Sequence, residues 1–534
     1  MSTESSTILK ETRRRRTFAV ISHPDAGKST LTEALALHAR VITEAGAVHG
    51  KAGRQGVTSD WMAMERQRGI SVTSAALQFE YRDVVLNLLD TPGHADFSED
   101  TYRVLSAVDC AVMLLDAAKG LEPQTLKLFD VCRHRGLPVI TFINKWDRPG
   151  REALDLLDEI EQRLGITPTP VTWPIGIAGH FEGLIDRRDA GRVIRFSRTA
   201  GGATAAGEEY VPITEPLAQE LSGLGPAVEE LDLLDHVGAD HDEETFLAGA
   251  STPVFFGAAV SNIGVRLLLD AVVDIAPAPA SRRTSEGEAV PLDGRFSGLV
   301  FKIQANMDPA HRDRIAFMRI CSGRFTKGMK LRHVRLGRDI RIADAVTFLA
   351  ADRQHADQAS AGDIIGLHNH GTINIGDTFT EGEALHFTGI PSFAPELFRR
   401  AVLRDPLRMK ALSKGLDQLC EEGATQVFRP MIGNALILGA VGPLQFDVVA
   451  DRLKHEYGVE CHFEGVQVAT ARWVYCDDER RLEEFRRKAA EHLAIDHGGA
   501  LVYVAPTRVN LSLTQERWPE IEFRATREKA PIAA

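Results

Sequence analysis

The chain has 534 residues, 44% of them hydrophobic and 25% charged, with a formal net charge of −12. This is the composition of a globular chain of about three or four domains, and it excludes a global polyanion-binding field. No apolar run reaches the roughly 18 residues of a membrane span. The six cysteines (Cys110, Cys132, Cys321, Cys420, Cys461 and Cys476) show no C-x-x-C pair and no metal-ligand spacing, which fits a reducing cytoplasm. Residues 1–12 lack an apolar signal core. The basic run Arg13 to Arg16 reads as a solvated leader to the first strand.

That strand is the apolar run Phe18-Ala19-Val20-Ile21. Ser22-His23-Pro24-Asp25-Ala26-Gly27-Lys28-Ser29-Thr30 follows, and then a helical pattern over 31–39. Strand, glycine-containing loop, Lys-Ser and helix form the arrangement of a phosphate-binding loop. A phosphate chain is a dense anion, and successive backbone N–H groups and the positive helix end both face it. Gly27 lets the backbone approach because it has no Cβ. Lys28 supplies a fixed charge for the outer phosphates, and the Ser29 hydroxyl is placed to ligate Mg²⁺. Ser22 stands where the usual motif has its first glycine.

A long polar segment, 41–73, comes next. Long loops inside compact domains carry function more often than not. The Ser71 hydroxyl is placed to complete a metal shell when a third phosphate is present. Strands at 77–81 and 84–89 form a hairpin about Arg82-Asp83, and the second ends in Asp90-Thr91-Pro92-Gly93-His94. Asp90, a carboxylate at a strand end beside the phosphate loop, is placed to hold Mg²⁺ directly or through water. Gly93 offers an N–H that senses the third phosphate. A strand at 109–116 precedes another at 138–144, which ends in Asn144-Lys145-Trp146-Asp147. Guanine alone offers an N1–H beside a 2-amino group, so the two oxygens of Asp147 select it. Asn144 braces the loops, and the Lys145 stem lies along the base. The strand at 253–257 leads to Ala258 and Ala259, whose backbone N–H groups are expected at the guanine O6. The three motifs stand 62 and 54 residues apart, each after an apolar strand.

Alternating strands and helices over 17–275 predict a mostly parallel sheet with helices on both faces. Leu154, Leu157, Ile160 and Leu164 recur at helical spacing as a core face. Residues 175–250 break the alternation and read as an insertion, with a hairpin at 184–196. A Pro/Ala and polar linker spans 277–288. The expected domains are 1–280, which binds nucleotide; 288–390, a β-barrel of short strands with Gly and Asp turns; and 391–534, an α+β domain of split βαβ type. His368-Asn369-His370 reads as a turn. Arg480, Arg481, Arg486, Arg487 and Lys488 form a candidate RNA contact, with a solvated helix face as the competing reading.

These motifs resemble those of the release factor 3 family of translational GTPases, relatives of elongation factor G. Besides the three nucleotide motifs, the resemblance is carried by Ser59-Asp60-Trp61-Met62, Arg68-Gly69-Ile70-Ser71 and Phe301-Lys302-Ile303-Gln304-Ala305-Asn306-Met307-Asp308-Pro309. Phe393-Ala394-Pro395-Glu396-Leu397-Phe398 and Val468-Ala469-Thr470-Ala471-Arg472-Trp473 complete it. It covers nearly the whole chain. It implies a multidomain α/β chain with a P-loop GTPase domain, a β-barrel and an α+β domain, using GTP/GDP and Mg²⁺. It also implies action on the ribosome, through ribosomal RNA and proteins, where class I release factors dissociate after peptide release. His94 would orient the attacking water, and Lys28 would stabilise the transferred charge. Neither a membrane nor DNA is an expected partner, and the protein is expected to act as a monomer. Ser71 stands where relatives have Thr, and Ala258 where Ser is common; neither change removes a needed group. Two alternatives remain: a translocation-type factor, for which too few residues follow the third domain, and a GTP-gated binding module, against which His94 argues.

Overall fold

Residues 3–39, 76–189, 192–197, 206–305, 314–349, 352–390, 392–433 and 435–527 are described in this computed structural model of the chain. The segment 40–75, with Ser59-Asp60-Trp61-Met62 and Arg68-Gly69-Ile70-Ser71, lies outside them. The first sheet has seven strands, in the order Ala76–Tyr81, Val84–Asp90, Arg15–Ser22, Cys110–Asp116, Val139–Asn144, Ser251–Phe256 and Thr167–Pro170. Only the Ala76–Tyr81 edge pairs antiparallel, as its two-residue turn at Arg82-Asp83 requires. Cys110–Asp116 and Val139–Asn144 are buried along their whole length, so they read as unbroken apolar runs because helices cover both faces. All three nucleotide motifs leave the same carboxyl-terminal edge of this sheet, which is where open α/β sheets bind ligands. The interruption carries a four-stranded antiparallel sheet, Thr172–Ile175, Gly183–Asp186, Arg192–Ser197 and Gly207–Pro212, and then three helices.

The basic run is not a solvated leader. Thr3–Arg13 is a helix, and Arg15 is buried, with its Nε 3.2 Å from Asp363 Oδ2 and its Nη1 2.6 Å from Glu11 Oε2. A guanidinium this deep is retained because two carboxylates partner it.

Asp363 belongs to the next domain, an eight-stranded antiparallel sheet with a two-stranded ribbon around Phe296, Val300, Met318, Phe325 and Phe379. One hydrophobic cluster crosses from the first domain into this one, joining Leu89, Val104 and Met113 to Phe301, Phe317 and Ile364. Buried Arg319 ties the same seam, donating to Ala107 O at 3.0 Å and to Asp109 Oδ2 at 2.6 Å. The linker is pinned rather than loose: Arg283 bridges Ala289, and Thr284 bridges Phe387. His368-Asn369-His370 is a turn, in which Asn369 Oδ1 accepts from the Gly371, Thr372 and Ile373 N–H groups.

The C-terminal domain holds one eight-stranded antiparallel sheet built from two β-α-β-β-α-β halves. The first runs from Leu397–Leu403 to Cys461–Gly465, and the second from Thr470–Tyr475 to Glu522–Arg524. Both have the internal strand order 4-1-3-2, and they join where Gln426–Pro430 pairs with Leu493–Asp496. The sequence predicts the first half; the second, with its helices Glu479–Lys488 and Arg508–Arg517, is a repeat of topology without a repeat of residues. On Glu479–Lys488, Arg481 and Lys488 pair with Glu484, and Arg486 with Glu483. Three of the five cations of the candidate RNA contact therefore meet carboxylates of their own helix. Among the described residues no helix is long and apolar enough to cross a membrane.

Removing one partner of a buried ion pair costs about 3–5 kcal/mol, because the other charge stays buried alone. Arg319→Ala, which strands Asp109, is expected to destabilise by that amount in urea unfolding. The exposed Arg338→Ala should change stability by less than about 0.5 kcal/mol. Equal midpoints for the two variants would remove Arg319 from the seam's energetics.

Candidate functional site

Ser22 ends the first strand, and its Oγ donates to His23 O at 2.9 Å. Pro24 and Asp25 make the outer turn of the loop, with Asp25 in the left-handed region at φ 65°. Ala26 is buried, and Gly27 (φ 97°) serves as N-cap of the helix Lys28–His38 without a side-chain cap. Its first-turn N–H groups therefore have no capping side chain, which is the condition for anion binding at a helix start. Ser29 and Thr30 stand in that first turn. Gly27 has no room for a side chain: a Cβ would lie 2.5 Å from Asn144 Nδ2.

Lys28 is buried, with its Nζ 2.6 Å from Asp90 Oδ1. Register explains the meeting, since Val20 pairs with Asp90 across adjacent parallel strands. Asp90 Oδ2 is buried with no hydrogen-bond partner among the described residues. The Thr91 hydroxyl donates to Val20 O at 2.7 Å, pinning the turn that Pro92 and Gly93 continue. Gly93 packs on Pro24, so this loop lies against the phosphate loop. His94 is partly exposed, and Asp96 holds its Nδ1 edge: Oδ1 is 3.2 Å away and the Asp96 N–H 3.3 Å away.

Asn144 joins three loops. Its Nδ2 donates to Ala26 O at 2.8 Å, and its Oδ1 accepts the Ala259 N–H at 2.9 Å. The Ala258 N–H goes to Ile263 O at 3.0 Å. Both N–H groups expected at the guanine O6 are engaged within the protein here. The backbone turn there is closed on Asn144 because three loops meet at one amide. Lys145 has φ 66°; its Nζ donates to Asp25 O and lies 2.8 Å from Asp116 Oδ2. Burial opposes the Asp116 charge, but the Lys145 ammonium and the Ala118 N–H outweigh it and hold the carboxyl below its ordinary range. Trp146 is buried edge-on against Phe256. Asp147 Oδ1 is covered and has no hydrogen-bond partner among the described residues.

Sequence reasoning missed Asp116, which closes a strand on an acid just as Asp90 does. It also missed Glu122, 3.0 Å from the buried His23 Nε2. Burial, partly offset by Glu122, holds the His23 imidazole below its ordinary pKa. The sites fit a guanine nucleotide and a divalent cation. The unpartnered buried oxygens of Asp90 and Asp147 await donors or a metal, and the loop without a Cβ at Gly27 forms a cradle.

Gly27→Ala adds a clash with Asn144 and a strained φ. It should displace the Asn144 bond to Ala26 and weaken fluorescent GDP binding by roughly 5- to 150-fold, for about 1–3 kcal/mol per unsatisfied buried group. Gly136→Ala, at φ 64° with nothing within 4 Å, should leave affinity unchanged. Wild-type affinity in Gly27→Ala would refute the cradle.

Three family models match the chain. The elongation factor Tu GTP binding domain matches residues 13–278, and elongation factor G domain 2 matches 295–382. The class II release factor RF3 C-terminal domain matches 387–515. Among solved structures, the fold is shared with a crystal structure of a protein from Thermus thermophilus: TM-score 0.67 and 24% identity, over 86% of this chain and 69% of that one. The first domain is a P-loop GTPase domain that binds guanine nucleotide and hydrolyses GTP. With that domain, the elongation-factor barrel and the release-factor C-terminal domain in one chain, the protein belongs to the release factor 3 family of translational GTPases.

Proposed function

We propose that the chain is a ribosome-stimulated GTPase of translation termination, which promotes dissociation of class I release factors after peptide release and acts in the cytoplasm as a monomer. The observation that carries this reading is the class II release factor C-terminal domain fused to the GTPase domain. In this reading the Lys28 ammonium leaves Asp90 for the β- and γ-phosphates, and the N–H groups from Asp25 to Thr30 wrap the chain. Mg²⁺, when bound, would be held by Ser29, Asp90 and Ser71 and would neutralise charge between the outer phosphates. His94 orients water for in-line attack, while Lys28 and the loop amides stabilise the charge that develops. Asp147 takes the two guanine donors, and Lys145 and Trp146 flank it.

Asp147→Asn presents one donor and one acceptor. It should lose GTP and gain xanthosine triphosphate, with a discrimination of up to about 10⁴–10⁵. Competition binding of the two nucleotides measures this, and equal GTP binding by wild type and variant would reject the role.

The function itself is tested with labelled class I factor on post-release ribosomes. The expected result is loss of the class I factor with this protein and either GTP or a non-hydrolysable analogue, the analogue also trapping this protein on the ribosome. Retention of the class I factor under GTP would refute the reading. Retention under the analogue alone would tie displacement to hydrolysis.

A further inference from the structure

Asp96 lies two residues past His94, in the single turn Ala95–Phe97, and its buried side chain faces two ways. Oδ1 and the backbone N–H of Asp96 meet His94 Nδ1, at 3.2 and 3.3 Å. Oδ2 accepts the Leu444 N–H at 2.7 Å. Leu444 is the second residue of the 15-residue helix Pro443–Tyr457, which belongs to the C-terminal domain and is 348 residues away in sequence. One residue therefore holds the His94 ring with its backbone N–H on one side and meets the positive end of another domain's helix with its carboxylate on the other.

Gly442 argues independently for this contact. It is the N-cap of that helix, at φ −140° and ψ 166°, an extended conformation open to any residue. Its backbone does not require glycine. Asp96 does: a Cβ at Gly442 would lie 2.0 Å from the Asp96 Cγ and 2.1 Å from its Oδ1. The rest of the seam lies along the following helix, Ser98–Leu105. Arg103 Nη1 donates to Gly423 O at 3.4 Å, and the Tyr102 and Phe393 rings meet edge-on at 5.2 Å. Neither of these contacts touches His94.

We infer that Asp96 is a positioning residue for GTP hydrolysis: it orients His94 through its bond to the N-terminus of the helix Pro443–Tyr457, so the seating of the C-terminal domain sets the hydrolysis rate. The inference rests on the reading of His94 as the group that orients water. Fixing Nδ1 leaves Nε2 as the ring nitrogen that Asp96 does not engage. A contact that shifts the C-terminal domain alters that ring without reaching the nucleotide.

The test uses the full chain with ribosomes and compares wild type with Asp96→Asn, Gly442→Ala, their double variant and His94→Ala. GTP affinity, kcat and KM are measured for each. Asp96→Asn keeps the shape and removes the charge; Gly442→Ala pushes the helix off an intact carboxylate from another domain. Each should lower kcat by about ten- to thirtyfold, the scale of a partly buried charge at a helix end, with GTP affinity unchanged. The double variant should fall no further than the worse single one, because both break one contact. Added to His94→Ala, neither should reduce the rate again. A wild-type kcat for Gly442→Ala, additive losses, or losses confined to GTP affinity would each overturn the inference. His94→Ala at the wild-type rate would instead overturn the reading of His94 itself, whatever Asp96 does.

Discussion

A buried ammonium held 2.6 Å from a buried carboxylate, Lys28 against Asp90, is the interaction around which the GTPase domain is arranged. Taking two charges out of water costs several kcal/mol each before their attraction repays it. A chain selected for stability alone would fill this place with apolar side chains. On the function proposed above, each member has a second partner in use, the lysine a phosphate and the carboxylate a cation. The sheet makes the pair possible. Parallel neighbours bring Val20 beside Asp90, and the loop then returns Lys28 over that strand end. Asn144 closes the arrangement from the next motif, so a change at any one loop is felt at all three.

The same strand ends carry the coupling outward. The loop after Asp90 runs through Gly93 and His94 into the helix Ser98–Leu105, and all three domains meet that helix. The barrel reaches it with Lys302, 3.6 Å from Asp100, and the C-terminal domain with Gly423 and Phe393. The barrel shares a hydrophobic core with the GTPase domain, and the linker is bonded back to the barrel. A reading in which a slack linker lets both outer domains swing freely is therefore too loose. The seam to the C-terminal domain includes the hydrogen bonds to Gly423 O and from the Leu444 N–H, and polar interdomain interfaces are where relative domain motion is expected.

How much of this the sequence discloses depends on how far apart the partners lie. The phosphate loop, Asp90 and Asn144-Lys145-Trp146-Asp147 are legible because each motif is local: strand, turn and the residue the chemistry needs follow one another. The parallel sheet is legible from its unbroken apolar runs. Arg15 and Asp96 are not. Arg15 looks like one more solvated arginine until Asp363 arrives from the barrel, and Asp96 looks like a turn residue until Leu444 does. The bonds made by the Ala258 and Ala259 amides are hidden for the same reason, since Ile263 and Asn144 reach them only in the folded chain. The second half of the C-terminal domain escaped because its repeat is one of topology. Strand order can recur while side chains diverge, and hydrophobic periodicity does not report order.

That repeat has a mechanical consequence. Two four-stranded halves joined at one pair of strands would hinge if the seam were all that held them, since Gln426–Pro430 and Leu493–Asp496 share only three residue pairs. A second layer prevents this. Phe398, Phe428 and Ile437 from the first half pack with Ala471, Trp473, Ala494 and Val502 from the second in one cluster. Close-packed side chains resist bending because any hinge opens voids between them. The eight strands therefore move as one plate, with the helix Pro443–Tyr457 fixed to it. The plate meets the GTPase domain through the Leu444 N–H and Asp96, and through Gly423 and Phe393 along the helix Ser98–Leu105.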